Sequence, residues 1–214
     1  MALVVLLRGV NVGGYRTFRP SMLARELKHL DVVNIGAAGT FVVRRPVSRA
    51  DVRDEFARRL PFDSHITVCD GRDILGLMSR DVFADHAIGA DTVRFVSVLS
   101  KSPRAATATA MRFPSTGEWL VKILARDDRF VVGMYRRHLK VISYLGALDR
   151  VFGVPVTTRN WNTLTAIAKV LEARVSGAAK AAKRKRTIAH VPKKTRTALG
   201  KEGAKAAKRK RKRA

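Results

Sequence analysis

A single cysteine, Cys69, stands in the 214-residue chain. It excludes an internal disulfide and any cysteine-rich metal site, and it makes a reducing, cytoplasm-like compartment the expectation. No apolar run approaches the roughly 20 residues of a membrane span. The longest, Ala2 to Leu7, has the length of a buried strand. No secretory leader is expected, because Met1 leads into that run without a basic segment before it. The histidines His29, His65, His86, His138 and His190 show no metal-ligand spacing. Acidic residues are also scarce: 17 Asp and Glu face 43 Lys and Arg, a formal net charge of +26. Such an excess speaks of polyanionic partners and solubility rather than of fold.

The charge is unevenly placed. From Gly177 to Ala214 there are 16 basic residues and one acid, Glu202, whereas Met1 to Ser176 holds 27 basic and 16 acidic residues. The tail carries a repeat. Ala179 to Arg186 recurs unchanged as Ala204 to Arg211, with Pro192 and Gly200 between the copies. The segment has almost no large apolar side chains to offset its ordering entropy, so a disordered basic tail over 177–214 is expected. Its cations include Lys180, Lys183, Arg184, Lys185, Arg186, Lys205, Lys208, Arg209, Lys210, Arg211, Lys212 and Arg213. They suit nucleic-acid phosphates through counterion release, DNA being the expected partner. In a bacterial host that means association with the nucleoid. No aromatic residue interrupts the tail, which excludes base stacking there. The composition resembles that of histone-like tails; the plain alternative is a solvated segment that aids solubility.

The body reads as α+β. A strand at Ala2–Leu7 runs into a glycine loop. Leu23, Leu27 and Leu30 then share one helical face behind Pro20. Strands at 31–35 and 40–45 flank the turn Gly36 to Gly39. Ser48 with Asp51 marks a helix start, Val52, Phe56 and Leu60 its stripe, and His65 to Cys69 a further strand. The order β-α-β-β-α-β is the ferredoxin-like signature. A connecting helix covers 72–79. The second half repeats the order less clearly: a strand at 93–99, a weak helix or loop at 103–111, and a hairpin around Asp127-Asp128. A helix at 140–152 stopped by Gly153 and Pro155, a short strand at 156–159 and a last helix complete it. We therefore expect two ferredoxin-like halves, 1–80 and 91–176, the second ending in a C-terminal helix, with the tail at 177–214.

Two segments carry more than composition. In Leu6 to Gly14, Arg8, Gly9, Asn11, Gly13 and Gly14 stand between a buried strand and a helix. Glycines let backbone N–H groups approach an anion, and Arg8 can hold phosphate or carboxylate in bidentate fashion. The loop is neither a P-loop nor a dinucleotide fingerprint, so no cofactor is expected. The alternative is a tight connection with Arg8 bound to carbonyls. In Gly153 to Thr163, Arg159 sits beside a helix start that Asn160 or Asn162 can cap, and Trp161 can anchor the helix on the core. A cation there is disfavoured by the helix dipole unless an anion or acid offsets it. Hence Arg159 is expected either to take a bound anion or to be structural, held by a carboxylate or by carbonyls. Arg8, Asn11 and Arg159 are expected around one concave surface.

Together, in this order, the two segments resemble the bacterial family called domain of unknown function 1697, over about Ala2 to Ala173 and excluding the tail. The resemblance implies a two-part α+β fold with ferredoxin-like halves and no established activity. The chain departs from the family pattern at Ala38-Gly39-Thr40, where a polar Ser-Gly-Asn turn is usual. It departs again at Arg136 to Lys140, where a Ser-Lys-Leu is usual. No acid/base carboxylate pair stands out, and whether anything is catalysed stays open. The readings that follow are nucleic-acid binding through the tail or, alternatively, an anion- or phosphate-ligand site in the body. No membrane partner is expected.

Overall fold

The computed structural model describes residues 1–11, 17–102 and 110–173. The chain divides after Leu171, and every strand among the described residues lies in the unit Met1–Leu171. The architecture is mixed α+β with two antiparallel sheets.

Strand β1 (Leu3–Leu7) is buried along its whole length. Its alternation explains the unbroken apolar run. Leu3, Val5 and Leu7 enter one core, while Val4 and Leu6 enter another. Helix α1 (Pro20–Glu26) opens on its proline, and a 3-10 turn (Lys28–Leu30) completes the Leu23, Leu27 and Leu30 stripe. β2 (Val32–Asn34) and β3 (Thr40–Val43) form a hairpin. α2 (Arg49–Arg59) is capped by Ser48, whose Oγ accepts from the Asp51 N–H at 3.1 Å. β4 (Ile66–Asp70) and α3 (Gly71–Met78) follow. The first sheet has the order β2-β3-β1-β4.

The second half contains β5 (Thr92–Leu99), β6 (Met111–Phe113), β7 (Val121–Asp127) and β8 (Phe130–Arg136). Then come α4 (Val141–Phe152), ended by Gly153 at φ 65, and β9 (Val156–Asn160). A final helix, α5, covers 161–173. The sheet order is β6-β7-β8-β5-β9. With β6 set aside, it matches the first sheet strand for strand. The expected helix or loop at 103–111 falls mostly outside the described residues, and Met111 begins β6.

Three cores stack the layers. One face of the first sheet meets Leu23, Val52 and Phe56 from α1 and α2. One face of the second meets Val141, Leu148 and Phe152 from α4. The remaining faces meet each other: Val4, Leu6, Val42 and Cys69 share a core with Val96, Val98, Val132 and Met134. Leu164, Ile167 and Leu171 of α5 and Ile74 and Leu77 of α3 close that central core. The arrangement is helix, sheet, sheet, helix, with both polar segments at the ends of strands that bound its middle.

Candidate functional site

The glycine loop begins under backbone control. The Leu7 N–H donates to the Gly39 carbonyl at 2.8 Å and the Arg8 N–H to the His65 carbonyl at 3.1 Å. Ser64 Oγ donates to the Arg8 carbonyl at 3.0 Å. Gly9 and Asn11 then both take positive φ, 62 and 53, which turns the chain sharply. Asn11 is a clasp. Its Nδ2 donates to the Ala37 carbonyl at 2.7 Å and to the Phe18 carbonyl at 3.1 Å, while Oδ1 accepts from the Phe18 N–H at 2.9 Å. Both amide donors are therefore used in tying the loop's two ends to the first hairpin turn. Gly13 and Gly14 lie outside the described residues.

Arg159 reaches the same place from the other half. On β9 it pairs with Val96 and shares a face with Thr157. Thr157 meets Thr67 of β4, the two hydroxyls 3.3 Å apart. The Arg159 guanidinium is buried. Its Nε donates to Thr40 Oγ1 at 2.7 Å and its Nη1 to the Thr158 carbonyl at 2.8 Å. Its Nη2 donates to the carbonyls of Leu7 at 2.6 Å, Ala38 at 2.7 Å and Gly39 at 3.3 Å. No carboxylate is among these partners. Burial pushes its pKa down from 12.5 to about 10, which still leaves a cation at neutral pH. Removing such an ion from water costs several kcal/mol, and five charge-assisted bonds of about 1.5–3 kcal/mol each are of the size needed to offset it. Of the protein partners expected for Arg159, a carboxylate or carbonyls, it has four carbonyls and the Thr40 hydroxyl. Three of its acceptors belong to Ala38-Gly39-Thr40, at the turn of the first hairpin.

Arg8 has the carboxylate instead. Its Nη1 lies 2.6 Å from Asp149 Oδ2, and Asp149 Oδ1 accepts from the Val156 N–H at 3.1 Å. One aspartate of α4 thus holds the start of β9 and the end of β1. The Arg8 side chain remains 37% exposed. With Gly9 it edges a cleft of 680 Å³ lined also by Leu60, Phe62, Ser64, His65 and Ile66. The His65 imidazole is held below its ordinary pKa by partial burial and by the Arg8 and Arg53 cations, against the opposing pull of Asp149. Sequence reasoning missed Asp149 and His65. Asp149 lies inside the helix expected at 140–152 without a reading of its own, and His65 drew attention as a strand start and for metal spacing. Neither had a local signal for a partner in the other half.

Asn160 caps α5. Its Oδ1 accepts from the Thr163 N–H at 2.9 Å and from Thr163 Oγ1 at 2.8 Å. Trp161 anchors the helix edge-on against Phe83, the ring centroids 4.9 Å apart. Asn160 and Trp161 line a second cleft of 440 Å³ with Arg94 and Arg137. The structure therefore brings Arg8, Asn11 and Arg159 to one junction, with Arg159 inside it, Asn11 bridging its turns and Arg8 at the Gly9 cleft. Asn160 lies at the second cleft. Cys69 is buried, and burial pushes its thiol up to about 12, which makes it a packing residue at neutral pH. Among the described residues no His, Cys, Asp and Glu side chains group to hold a metal, and no helix is long and apolar enough to cross a membrane. The tail cations from Lys180 to Arg213 lie outside the described residues.

No family model matches the chain, and no curated protein matches it. Among solved structures it is similar to a conserved bacterial protein, SP0830, from Streptococcus pneumoniae. The TM-score is 0.51 at 14% identity, covering 79% of this chain and 98% of that one. At that identity the likeness is one of fold.

Proposed function

We propose that the chain is a non-enzymatic, nucleic-acid-associated protein: a folded α+β body that carries a DNA-binding basic tail. One observation carries the reading. Sixteen basic residues and a single acid fall between Gly177 and Ala214, and ten of the basic residues lie in two identical octapeptides, Ala179–Arg186 and Ala204–Arg211. Phosphate contacts by such a segment bind through counterion release without reading sequence. The body fits the family with domain of unknown function 1697 by its two polar segments. The shared strand order of its sheets supports describing both halves as ferredoxin-like, β6 being an addition. The test is fluorescence anisotropy with random-sequence duplex DNA at about 0.1 M salt. The full chain should bind, and a chain ending at Ser176 should lose most of the affinity. Undiminished binding by the shortened chain overturns the proposal.

A second reading is a small-anion site at the Arg8 loop, drawn from Arg8, Gly9, Asn11, Gly13, Gly14, Arg159 and Asn160. What favours it is the partly exposed Arg8 side chain at the edge of a 680 Å³ cleft. The side chains of Asn11, Arg159 and Asn160 are engaged with the protein itself. Asn11 and Arg159 therefore shape the loop, Asn160 caps α5 at the other cleft, and the cation offered to a ligand is Arg8.

A further inference from the structure

We propose that the cleft between the end of α2, β4 and Gly9 takes a small phosphomonoester with an apolar body, its phosphate between Arg8 and His65 and its body over Leu60 and Phe62. The inference rests on the second reading above and gives it a ligand class.

Three features meet there. The first is shape: the cleft holds 680 Å³, within the range of small-ligand sites. The second is an uneven wall. Leu60, Phe62 and Ile66 form an apolar side, whereas Arg8, Ser64 and His65 form a polar one. The Phe62 ring is fixed edge-on against Phe18 at 5.6 Å, which gives a ligand a preset surface to lie on. The third is charge. Arg8 and Arg53 both act on His65 as cations, and Asp149 is the acid that opposes them there; Asp63 also lines the cleft. Arg8 shares its charge with Asp149, so a monoanion gains little by replacing that partner. A phosphate dianion can take a second bond from Arg8 and one from a protonated His65, which favours phosphate over carboxylate. Ser64 Oγ already donates to the Arg8 carbonyl, so it fixes the wall and is not needed for the ligand.

The reporter is His65 itself. Its pKa sits below the ordinary value through partial burial first and the Arg8 and Arg53 cations second, and a dianion between it and Arg8 opposes both by favouring the protonated ring. The experiment follows the His65 ring protons by NMR through a pH titration of the full chain at constant ionic strength. The probes are inorganic phosphate and phenyl phosphate. Both should raise the His65 midpoint, by about half a pH unit or more at saturation. Phenyl phosphate should reach that effect at a concentration at least about tenfold lower, because its ring buries apolar surface against Leu60 and Phe62. Arg8→Gln should abolish the response. Asp149→Asn, which leaves Arg8 in place and frees its charge, should lower the half-saturating concentration by about two- to fivefold. Equal potency of the two probes overturns the phosphomonoester while leaving the anion reading standing. An unmoved His65 midpoint with both probes overturns both. A response that persists in Arg8→Gln overturns the placement of the phosphate. DNA binding through the tail is unaffected by any of these outcomes.

Discussion

The Arg159 guanidinium donates to the Leu7 carbonyl at 2.6 Å, across 152 positions of sequence. Leu7 ends the first strand, and Arg159 lies near the end of the last. The bond joins the two sheets by a cation without a carboxylate, so its acceptors depend on it as much as it depends on them.

Replacing Arg159 by Met should therefore leave several buried carbonyls unsatisfied and cost about 1–3 kcal/mol by urea unfolding. Arg159→Lys should recover little, because a single ammonium cannot span five acceptors. The deficit should be flat from neutral pH to about pH 9, since both folded and unfolded states carry the proton below the lowered pKa of about 10. Above it the folded state releases its proton first, and the penalty for burying the charge falls. Phosphate should stabilise the variant as much as the unsubstituted chain. A larger response in the unsubstituted chain would mean that Arg159 binds the anion.

The two loop glycines separate backbone strain from crowding. Gly9 and Gly39 both have positive φ, 62 and 65. A Cβ on Gly9 meets nothing within 4 Å, whereas one on Gly39 lies 2.6 Å from Val10 Cγ2 and 2.9 Å from Leu7 Cβ. Gly9→Ala should cost about 1 kcal/mol, and Gly39→Ala a further 1–3 kcal/mol or so in thermal or urea unfolding. Equal costs would contradict the close approach of the hairpin turn to Leu7.

Asp149→Asn keeps an acceptor for the Val156 N–H and removes the charge that pairs with Arg8. Because the pair is partly exposed, stability should fall by no more than about 1 kcal/mol. The His65 midpoint should fall as well, since Asp149 is the acid that raises it. The loss of stability on acidification still begins near the unfolded histidine value, but a lower folded midpoint extends it to lower pH and deepens it, because the folded state declines a proton that the unfolded state accepts. NMR titration of His65 in both chains checks the direction.

The duplicated octapeptide gives a quantitative handle on the tail. Deleting Ala204–Arg211 removes Lys205, Lys208, Arg209, Lys210 and Arg211. If each meets a phosphate, the slope of log affinity against log salt should shrink in magnitude by about 4–5, from a full-tail limit of roughly −13. An unchanged slope would show that this copy does not contact DNA.

Cys69 should act as a reporter of unfolding. Its thiol is buried under Val4 and held up to about 12. A disulfide reagent should modify the native chain only at the rate at which the body opens. Rapid labelling under native conditions would contradict that burial.

Much of the fold was legible because its signals are local. Leu3 to Leu7 is apolar at every position, as a strand covered on both sides requires. Ser48 three residues before Asp51, and Gly153 after Phe152, mark helix ends through bonds and angles that neighbours determine. The junction was legible only by its members. Arg8 and Arg159 stood out as cations at element ends, and the first hairpin turn stood out by its small residues. Which acceptor each arginine takes depends on how the two sheets face each other, and no local pattern encodes that. Of the carboxylate and the carbonyls expected as structural partners, Arg159 takes the carbonyls and the carboxylate belongs to Arg8, because Asp149 on α4 reaches the end of β1, whereas the side chain of Arg159 points into the space between the sheets. Strand β6 was missed for a similar reason. Met111 to Phe113 is too short to show an alternation, and its pairing with Val121 to Ile123 is what makes it a strand.

The lengths of the outer strands bear on how this protein behaves in a crowded solution. Each sheet ends on one side in a strand of only three residues, Val32–Asn34 in one and Met111–Phe113 in the other, and Pro114 follows the latter directly. A foreign strand adding there would find few free backbone groups, and beside Phe113 a residue with no N–H to give. The opposite borders, β4 and β9, are five residues long and lie close enough for Thr67 and Thr157 to touch. Unwanted strand-by-strand growth of copies is thus discouraged at the two far margins, and any that occurs must begin on the side where the halves already meet.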